Sequence, residues 1–331
     1  MKNCRAYISS VGMYVPEKRV TNDELAKIVD TSDEWIRERT GIRERRVVAD
    51  GQSNSDLSVK AIEDCLRRAS VSPEEIDLII VPTVTPDMMF PSTACLIQEK
   101  LGASKAWGFD LSGACSGFLY ALSVGTQFVE NGCYQKVVVV GTDVMTSIVD
   151  PLDRATCVLF GDGAGAVLLE PSDDDGIGVL DFLLRCDGSG GKHLNMPAGG
   201  SRMPASHETV DKRLHYVQQD GRSVYKFAVK YMAEVSSEIL ARNELDVSAL
   251  KLFVPHQANL RIINSTADRL KLRKDQVAVN IDRYANTTSA TIPLGLFEYH
   301  EMGRLEKGDL VLLASFGAGF TWGSVLLRWG M

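Results

Sequence analysis

The chain repeats one succession of strand-length apolar runs, and this repeat limits what its 331 residues can fold into. Residues 76–83 match residues 250–256, with an offset of 173 positions between Pro82 and Pro255. Two later pairs of segments follow in the same order at offsets of 171 and 158: residues 131–140 with 302–312, and residues 166–169 with 324–327. Because the order is kept and the offsets change little, we infer an internal duplication. The shorter last offset predicts an extra loop in the first half, near residues 150–162.

Both copies alternate buried strands with amphipathic helices. Residues 76–81 and 136–140 are continuous apolar runs, which is typical of strands covered on both faces. Residues 55–69 and 116–131 have helical length and spacing. This alternation predicts an α/β fold. The two predicted units are residues 1–173 and residues 174–331.

Charge and composition narrow the function classes. The net charge is −7 and the charged fraction is 24%, which argues against a general nucleic-acid-binding protein. Residues 1–16 contain no apolar signal segment, and no run is long enough to span a bilayer. The seven cysteines show no CxxC spacing, so neither a disulfide framework nor a metal site is expected. We therefore expect a cytoplasmic protein that does not insert into membranes.

One cysteine stands where a nucleophile is expected. Cys115 lies in a turn of small residues, 112–117, directly before an apolar helix. Unpaired N–H groups at a helix start stabilise a thiolate, and the small neighbours leave room for a substrate. Position alone favours a packed core cysteine, because free cysteine is among the most buried residue types. Residues from the other half of the chain are needed to distinguish a reactive cysteine from a packed core cysteine.

The duplication supplies two candidate partners for Cys115. The 171-residue offset leads to Asn286, which also lies in a small-residue turn before a helix. His256 directly follows a predicted buried strand, where Thr83 stands in the first half. If the halves pack about a pseudo-twofold axis, we expect Cys115 and Asn286 to approach each other near it.

A Cys–His–Asn set serves two chemistries. In a thiol protease the histidine activates the thiol and the asparagine orients the imidazole. In a carbon–carbon bond-forming enzyme the cysteine carries an acyl group, while histidine and asparagine stabilise an enolate oxygen. The papain-type sequence around the cysteine is missing here, which weakens the protease alternative.

Five segments resemble the β-ketoacyl-acyl carrier protein synthase III family of the thiolase-like condensing enzymes, and the resemblance covers essentially the whole chain. They are residues 31–42, 113–118, 254–261, 286–287 and 316–324. The resemblance implies two duplicated thiolase-like halves in a layered αβαβα architecture. It also implies a cofactor-free homodimer that condenses a short acyl-CoA, acetyl-CoA above all, with malonyl-acyl carrier protein.

The resemblance assigns a role to each matching position. Cys115 would carry the acyl group, with the backbone N–H groups of Cys115 and Ala318 as the oxyanion hole. His256 and Asn286 would bind the malonyl thioester carbonyl, and Phe316 would lie near the leaving carboxylate. The resemblance also implies residues that bind the CoA or acyl part: Thr31, Trp35, Arg39, Phe90, Arg154, Asn259 and Phe316. Of these, Trp35 and Arg154 would sandwich the adenine, and Phe90 would limit the acyl pocket of the partner subunit.

A basic patch for the acidic carrier protein follows from the same resemblance. Lys226, Arg261 and Arg269 match it, whereas Asp268 replaces a lysine that is usual in the family. Arg222 stands near the CoA tunnel where some relatives have asparagine. We expect carrier affinity and steering to be weakened by Asp268, with no effect on the chemistry.

Three alternatives remain open at this point. The first is a related condensing enzyme of secondary metabolism that uses a longer or branched primer. The second is a cysteine hydrolase, and the third is a non-catalytic thiolase-like scaffold.

Overall fold

Two β-sheets, one from each half of the chain, carry the fold. The structure is a computed structural model that describes residues 4–331. Its strands are β1 (Ala6–Tyr14), β2 (Arg19–Thr21), β3 (Glu44–Arg46), β4 (Leu78–Pro82), β5 (Trp107–Leu111), β6 (Val137–Val144), β7 (Asp162–Pro171), β8 (Gly178–Cys186), β9 (Leu194–Asn195), β10 (Gln218–Gln219), β11 (Leu252–Pro255), β12 (Leu310–Gly317) and β13 (Thr321–Arg328).

The helices are α1 (Asn22–Leu25), α2 (Asp33–Thr40), α3 (Asn54–Ala69), α4 (Thr93–Leu101), α5 (Gly117–Glu130), α6 (His207–Asp211), α7 (Gly221–Arg242), α8 (Leu260–Leu270), α9 (Ile281–Tyr284) and α10 (Thr291–Glu301). Short 3₁₀ turns lie at Pro73–Glu75, Ala114–Ser116, Met145–Ser147, Gly188–Lys192, Val247–Ala249, Lys274–Gln276 and Thr288–Ala290.

The two sheets have the same topology, which confirms the predicted duplication. The first sheet has the order β1-β7-β6-β4-β5, and the second has β8-β13-β12-β11. β6, β4 and β5 are parallel in the first sheet, as are β12 and β11 in the second. The pairs β6–β7 and β7–β1 of the first sheet, and β12–β13 and β13–β8 of the second, are antiparallel. A fifth strand of the second sheet is reduced to one bridge between Phe253 and Val277. The predicted extra loop lies between β6 and β7, at residues 145–161, whereas only residues 318–320 join β12 to β13.

Helices fill three layers around the sheets. α3 and α4 pack on the outer face of the first sheet, and α7 packs on the outer face of the second, with α8 against it. α5 and α10 lie between the sheets and contact strands of both halves. This is the expected αβαβα order. The boundary between residues 173 and 174 stays a prediction; the strands of the first sheet end at Pro171, and those of the second begin at Gly178.

The apolar runs of the sequence form the central strands. Every residue of β4 and β6 is buried, since helices cover both faces of the first sheet. The central core, which β4, β6, β11 and β12 share with α5, joins the two halves. Within residues 4–331, no helix has the length and apolar character needed to cross a membrane.

The close packing of β1 on α3 gives a stability prediction. A Cβ on Gly12 would lie 2.3 Å from the backbone nitrogen of Cys65 and 2.4 Å from the carbonyl oxygen of Ala61. Because backbone atoms cannot rotate away, we expect Gly12→Ala to lower the free energy of unfolding by at least about 1–3 kcal/mol. Gly200→Ala is the control, since a Cβ there meets no atom within 4 Å. Urea unfolding measures both variants; equal stabilities would contradict this packing.

Candidate active site

Cys115 lies at the entrance of the central helix layer. It is the middle residue of the turn Ala114–Ser116, from which α5 starts. Its carbonyl oxygen accepts a hydrogen bond of 2.8 Å from the hydroxyl of Ser315 on β12. A Cβ on Gly317 would approach the Cys115 nitrogen to 2.8 Å. The glycine therefore lets the end of β12 come close to the backbone of the candidate nucleophile.

The thiol of Cys115 is protonated in this site. Burial raises the pKa of Cys115 to about 12, the nearby Asp143 carboxylate adds to the rise, and the residue's own backbone N–H opposes it. The sequence pointed to a thiolate favoured by the helix start, and this expectation is wrong for the free site. Since only 8% of Cys115 is exposed, loss of hydration outweighs the helix start.

His256 is a neutral imidazole ready to form hydrogen bonds. It directly follows β11, and its backbone N–H donates to the carbonyl oxygen of Ala314 at 2.8 Å. Only 1% of the residue is exposed, and neither ring nitrogen has a hydrogen-bond partner within residues 4–331. Burial lowers the pKa of His256 to about 3. The ring can therefore supply one neutral N–H donor to a bound oxygen.

Asn286 is oriented by its own turn. Its backbone N–H donates to the carbonyl oxygen of Leu159 at 2.9 Å, and its carbonyl oxygen accepts from Gly161 at 3.1 Å. The side-chain Oδ1 accepts a hydrogen bond of 2.9 Å from the Thr288 backbone N–H. That bond fixes the amide with Nδ2 as the free end, which forms no hydrogen bond within the described part of the chain. Nδ2 is a second neutral donor.

A single cavity brings the three side chains together. It has a volume of about 610 Å³ and is lined by Cys115, His256 and Asn286. The predicted residues Trp35, Arg39, Asn259, Arg261 and Phe316 also line it. The predicted approach of Cys115 and Asn286 to a shared site agrees with this arrangement.

A smaller, largely apolar cavity opens beside Cys115. It has a volume of about 240 Å³ and includes Ala318, whose backbone N–H was predicted for the oxyanion hole. Phe160 lines both cavities, as do Cys115 and Leu194. The sequence reasoning did not single out Phe160, because an aromatic residue in an apolar stretch has no distinctive pattern.

The predicted adenine pair is already in contact. The guanidinium carbon of Arg154 lies 4.4 Å from the centre of the Trp35 ring. A purine can stack between them only if they separate. The buried hydroxyl of Thr31 has no hydrogen-bond partner within residues 4–331. Asn259 caps α8 through Oδ1 and donates from Nδ2 to the carbonyl oxygen of Arg39 at 3.0 Å, so its amide ties α2 to α8.

Positive charge surrounds the mouth of the large cavity. Arg39, Arg222 and Arg261 line it, and none of them forms an ion pair within the described residues. The predicted patch residues Lys226, on α7, and Arg269, on α8, are exposed and likewise unpaired there. Exposed Asp268 precedes Arg269 on the same helix.

Two positions complete the inventory. Arg222, which the resemblance placed near the CoA tunnel, lines the large cavity. Phe90 is 83% exposed and lines neither of the two cavities of its own chain. Among residues 4–331, no group of three or more histidine, cysteine or acidic side chains is placed to hold a metal ion.

Comparisons with known proteins show which family the chain is similar to. Residues 109–188 match the family described as 3-Oxoacyl-[acyl-carrier-protein (ACP)] synthase III, and residues 240–329 match its C-terminal part. The Beta-ketoacyl-[acyl-carrier-protein] synthase III of Koribacter versatilis is 53% identical, covering 98% of each chain. The solved 3-oxoacyl-[acyl-carrier-protein] synthase III of Aquifex aeolicus is 42% identical with a TM-score of 0.91, covering 98% of this chain and 100% of that one. The priming β-ketosynthase of the R1128 polyketide pathway is 36% identical with a TM-score of 0.92, covering 100% and 98%.

The buried neutral histidine predicts a pH effect on stability. The unfolded chain takes up a proton on this histidine below about pH 6.5, while folded His256 stays neutral down to about pH 3. Stability therefore falls with pH in this window, by about 1.4 kcal/mol per pH unit. Between pH 7 and pH 4 we expect the unmodified protein to lose about 3 kcal/mol more than His256→Gln.

Urea unfolding at the two pH values measures this difference. His207→Gln removes an exposed histidine and is the control, which should behave like the unmodified protein. Equal losses for the unmodified protein and His256→Gln would show that His256 is hydrated or paired in solution.

Proposed function

Because the chain belongs to the 3-oxoacyl-[acyl-carrier-protein] synthase III family of condensing acyltransferases, we propose that Cys115, His256 and Asn286 carry out its reaction. The reaction is the decarboxylative Claisen condensation of a short acyl-CoA with malonyl-acyl carrier protein, which initiates fatty-acid synthesis. The observation that supports this assignment is the shared cavity, where one nucleophile faces two neutral donors. Membership of this family sets aside the hydrolase and scaffold alternatives, and the relatives of about 50% identity do not favour secondary metabolism.

The first half-reaction acylates Cys115. Its sulfur forms a bond to the acyl carbon of the acyl-CoA, and the bond from that carbon to the CoA sulfur breaks. The thiol proton ends on the departing CoA sulfur. The backbone N–H groups of Cys115 and Ala318 stabilise the oxyanion formed on the way. The acyl group then occupies the cavity of about 240 Å³ beside Cys115, with acetyl as the primary group.

The second half-reaction makes the carbanion. His256 and the Nδ2 group of Asn286 donate to the thioester carbonyl of the malonyl group, and the carbon–carbon bond to its carboxylate breaks. The electron pair passes into the enolate, which both donors stabilise. Phe316, 4% exposed, offers the carboxylate an apolar neighbour, which favours its loss as neutral carbon dioxide. The enolate carbon then attacks the acyl group, and the Cys115 sulfur leaves and is reprotonated from solvent.

The reaction proposed here uses no cofactor. The CoA thioester supplies the activated acyl group, and loss of carbon dioxide supplies the electron pair for the new bond. Neutral histidine and asparagine suit this task, because a neutral donor stabilises the enolate without protonating it. The seven cysteines are all free thiols, in keeping with a reducing compartment such as the cytoplasm.

The unpaired charges at the cavity mouth fit both anionic substrates. Arg39, Arg222 and Arg261 are placed to meet the phosphates of CoA or of the carrier's prosthetic group. Trp35 and Arg154 would separate to stack on the adenine. Lys226 and Arg269 extend the positive surface toward an acidic carrier protein, and Asp268 weakens it locally.

We assign the active form as a homodimer formed at the free edge of the first sheet. β5 pairs only with β4 within residues 4–331, and Trp107 on it is 44% exposed. Met89 and Phe90 on the preceding loop are 81% and 83% exposed. An exposed strand edge beside apolar side chains is a typical interface for a second copy of a chain. Phe90 would then reach the acyl pocket of the partner subunit.

The two half-reactions give separable predictions. Cys115→Ala should form no acyl-enzyme with acetyl-CoA, because the nucleophile is gone. His256→Ala should still be acylated but should release carbon dioxide from malonyl-acyl carrier protein about 100- to 1,000-fold more slowly. Intact-protein mass spectrometry measures acylation, and release of labelled carbon dioxide measures the second step.

Cys65→Ala is the matched control. Burial raises the pKa of Cys65 to about 12 as well, but this thiol lies in the outer core and lines neither of the two cavities. This variant should keep both half-reactions. Acylation of Cys115→Ala at another residue would contradict the assignment of the nucleophile.

A further inference from the structure

A buried carboxylate behind the active site has no role in the mechanism above. Asp143 on β6 is completely buried, and it forms no ion pair within the described residues. Its Oδ1 accepts hydrogen bonds from the Thr83 hydroxyl (2.9 Å), the Val84 backbone N–H (2.8 Å) and the Thr85 hydroxyl (2.9 Å). Its Oδ2 accepts from the backbone N–H (3.1 Å) and the hydroxyl (2.7 Å) of Ser289.

These bonds join the two halves of the chain at one point. Thr83–Thr85 follow β4 of the first half, and Ser289 precedes α10 of the second. A buried carboxyl group without a counter-ion is costly: burial raises the pKa of Asp143, and the hydrogen bonds from Ser289, Val84 and Thr85 oppose that rise. Since an apolar side chain would avoid this cost, the carboxylate calls for a functional explanation.

The position of this cluster in the duplicated fold supplies an explanation. Ser289 lies two residues before α10, as Cys115 lies two residues before α5. Thr83 follows the last residue of β4, as His256 follows the last residue of β11. Asp143 is the seventh residue of β6, and Phe316 is the seventh residue of β12.

Three positions of the active site thus have counterparts that contact one another. Cys115, His256 and Phe316 surround a cavity, whereas Ser289, Thr83 and Asp143 form a closed hydrogen-bonded cluster. Asn286, which the 171-residue offset matched to Cys115, is not its structural counterpart. We call the cluster of Asp143, Thr83 and Ser289 the mirror cluster.

The mirror cluster is connected to the active site through Thr288. This residue has a φ angle of +53°, a left-handed conformation that is strained for a β-branched side chain. Its backbone N–H holds Oδ1 of Asn286, and the next residue, Ser289, is bound twice by Asp143. One hydrogen bond therefore joins Asp143 to Ser289, and a second joins the neighbouring Thr288 to the amide of Asn286.

We propose that Asp143 is a positioning residue, which holds the strained Thr288–Ser289 turn so that Asn286 aims Nδ2 at the malonyl carbonyl. This inference rests on the proposed function, and it assigns to Asp143 the decarboxylation step but not the acylation step. The mirror cluster, which occupies the position of the active site in the duplicated fold, thus holds part of the active site in place.

Asp143→Asn tests the proposal because the amide cannot accept all five hydrogen bonds. In one orientation its NH₂ group faces the backbone N–H of Val84, and in the other it faces the backbone N–H of Ser289. We expect acylation by acetyl-CoA to stay within about threefold of the unmodified enzyme, while decarboxylation of malonyl-acyl carrier protein falls by about tenfold or more. Ser289→Ala keeps the backbone N–H and should show the same split with a smaller loss.

Asp181→Asn is the control for a loss of stability alone. Asp181 on β8 accepts hydrogen bonds from Arg242 and Asn243 at the end of α7, and neither partner belongs to the Asn286 turn. If the Asp143 carboxylate only stabilises the fold, Asp143→Asn and Asp181→Asn will lower both half-reactions together, in proportion to the folded fraction. That result, or full decarboxylation activity in Asp143→Asn, would overturn the proposal. If Asp143→Asn does not fold, the test passes to Ser289→Ala, and unchanged decarboxylation in that variant would overturn the proposal.

A pH profile gives an independent readout. The two titratable groups that interact with the Asp143 charge are Cys115 and Asp162. Burial raises the pKa of Cys115 and the Asp143 charge adds to it, so removal of that charge lowers this pKa. The pH profile of Cys115 alkylation by iodoacetamide should shift to lower pH in Asp143→Asn. If the unmodified enzyme itself forms no acyl-enzyme, the proposed function fails. If the unmodified enzyme is active but Asp143→Asn loses both half-reactions equally, only the role of Asp143 fails.

Discussion

The start of α5 lies so close to the end of β12 that Gly317 has no room for a side chain. A Cβ there would come within 2.8 Å of the Cys115 nitrogen. The same constraint recurs at the start of α10, where a Cβ on Gly141 would come within 2.3 Å of the Ser289 carbonyl oxygen. Both central helices begin in turns held between the sheets, and each turn contains a non-glycine residue with positive φ, Ala114 at +46° and Thr288 at +53°. The active site forms at one of these helix starts, and the mirror cluster forms at the other.

Burial at this junction determines the chemistry. Loss of hydration keeps the Cys115 thiol protonated and the His256 imidazole neutral before substrate arrives. A neutral imidazole and the amide of Asn286 stabilise an enolate without donating a full proton, which suits a carbanion that must survive long enough to attack. Negative charge that develops in such a site interacts strongly with fixed donors, since little water competes for them. The positive side chains stay at the mouth, where they attract anionic substrates without changing the reacting centre.

The sequence predicted much of this arrangement, and the failures have physical causes. Apolar runs and their offsets predicted the duplicated sheets. The turn at Cys115, taken together with His256 and Asn286, predicted a nucleophile whose role remains a proposal. The offset of 171 failed at one point, because α10 has 11 residues and α5 has 14, so the residue equivalent to Cys115 is Ser289 and not Asn286. The Cys115 pKa depends on burial, which a sequence pattern does not reveal. Asp143 is a lone acidic residue in an apolar strand, and its partners come from segments about 60 and 146 positions away. The CoA-binding, carrier-binding and dimer residues remain predictions.

The central claim is that one cysteine holds the acyl group until a carbanion removes it. A pulse–chase experiment tests this most directly. The enzyme is loaded with labelled acetyl-CoA, freed of excess CoA thioester and then mixed with malonyl-acyl carrier protein, while peptide mass spectrometry follows Cys115. The account predicts that the label is first bound to Cys115 and then appears, without free acetate, in the β-ketoacyl group on the carrier. Label that leaves Cys115 as acetate, or a β-ketoacyl product formed without labelled Cys115, would contradict it.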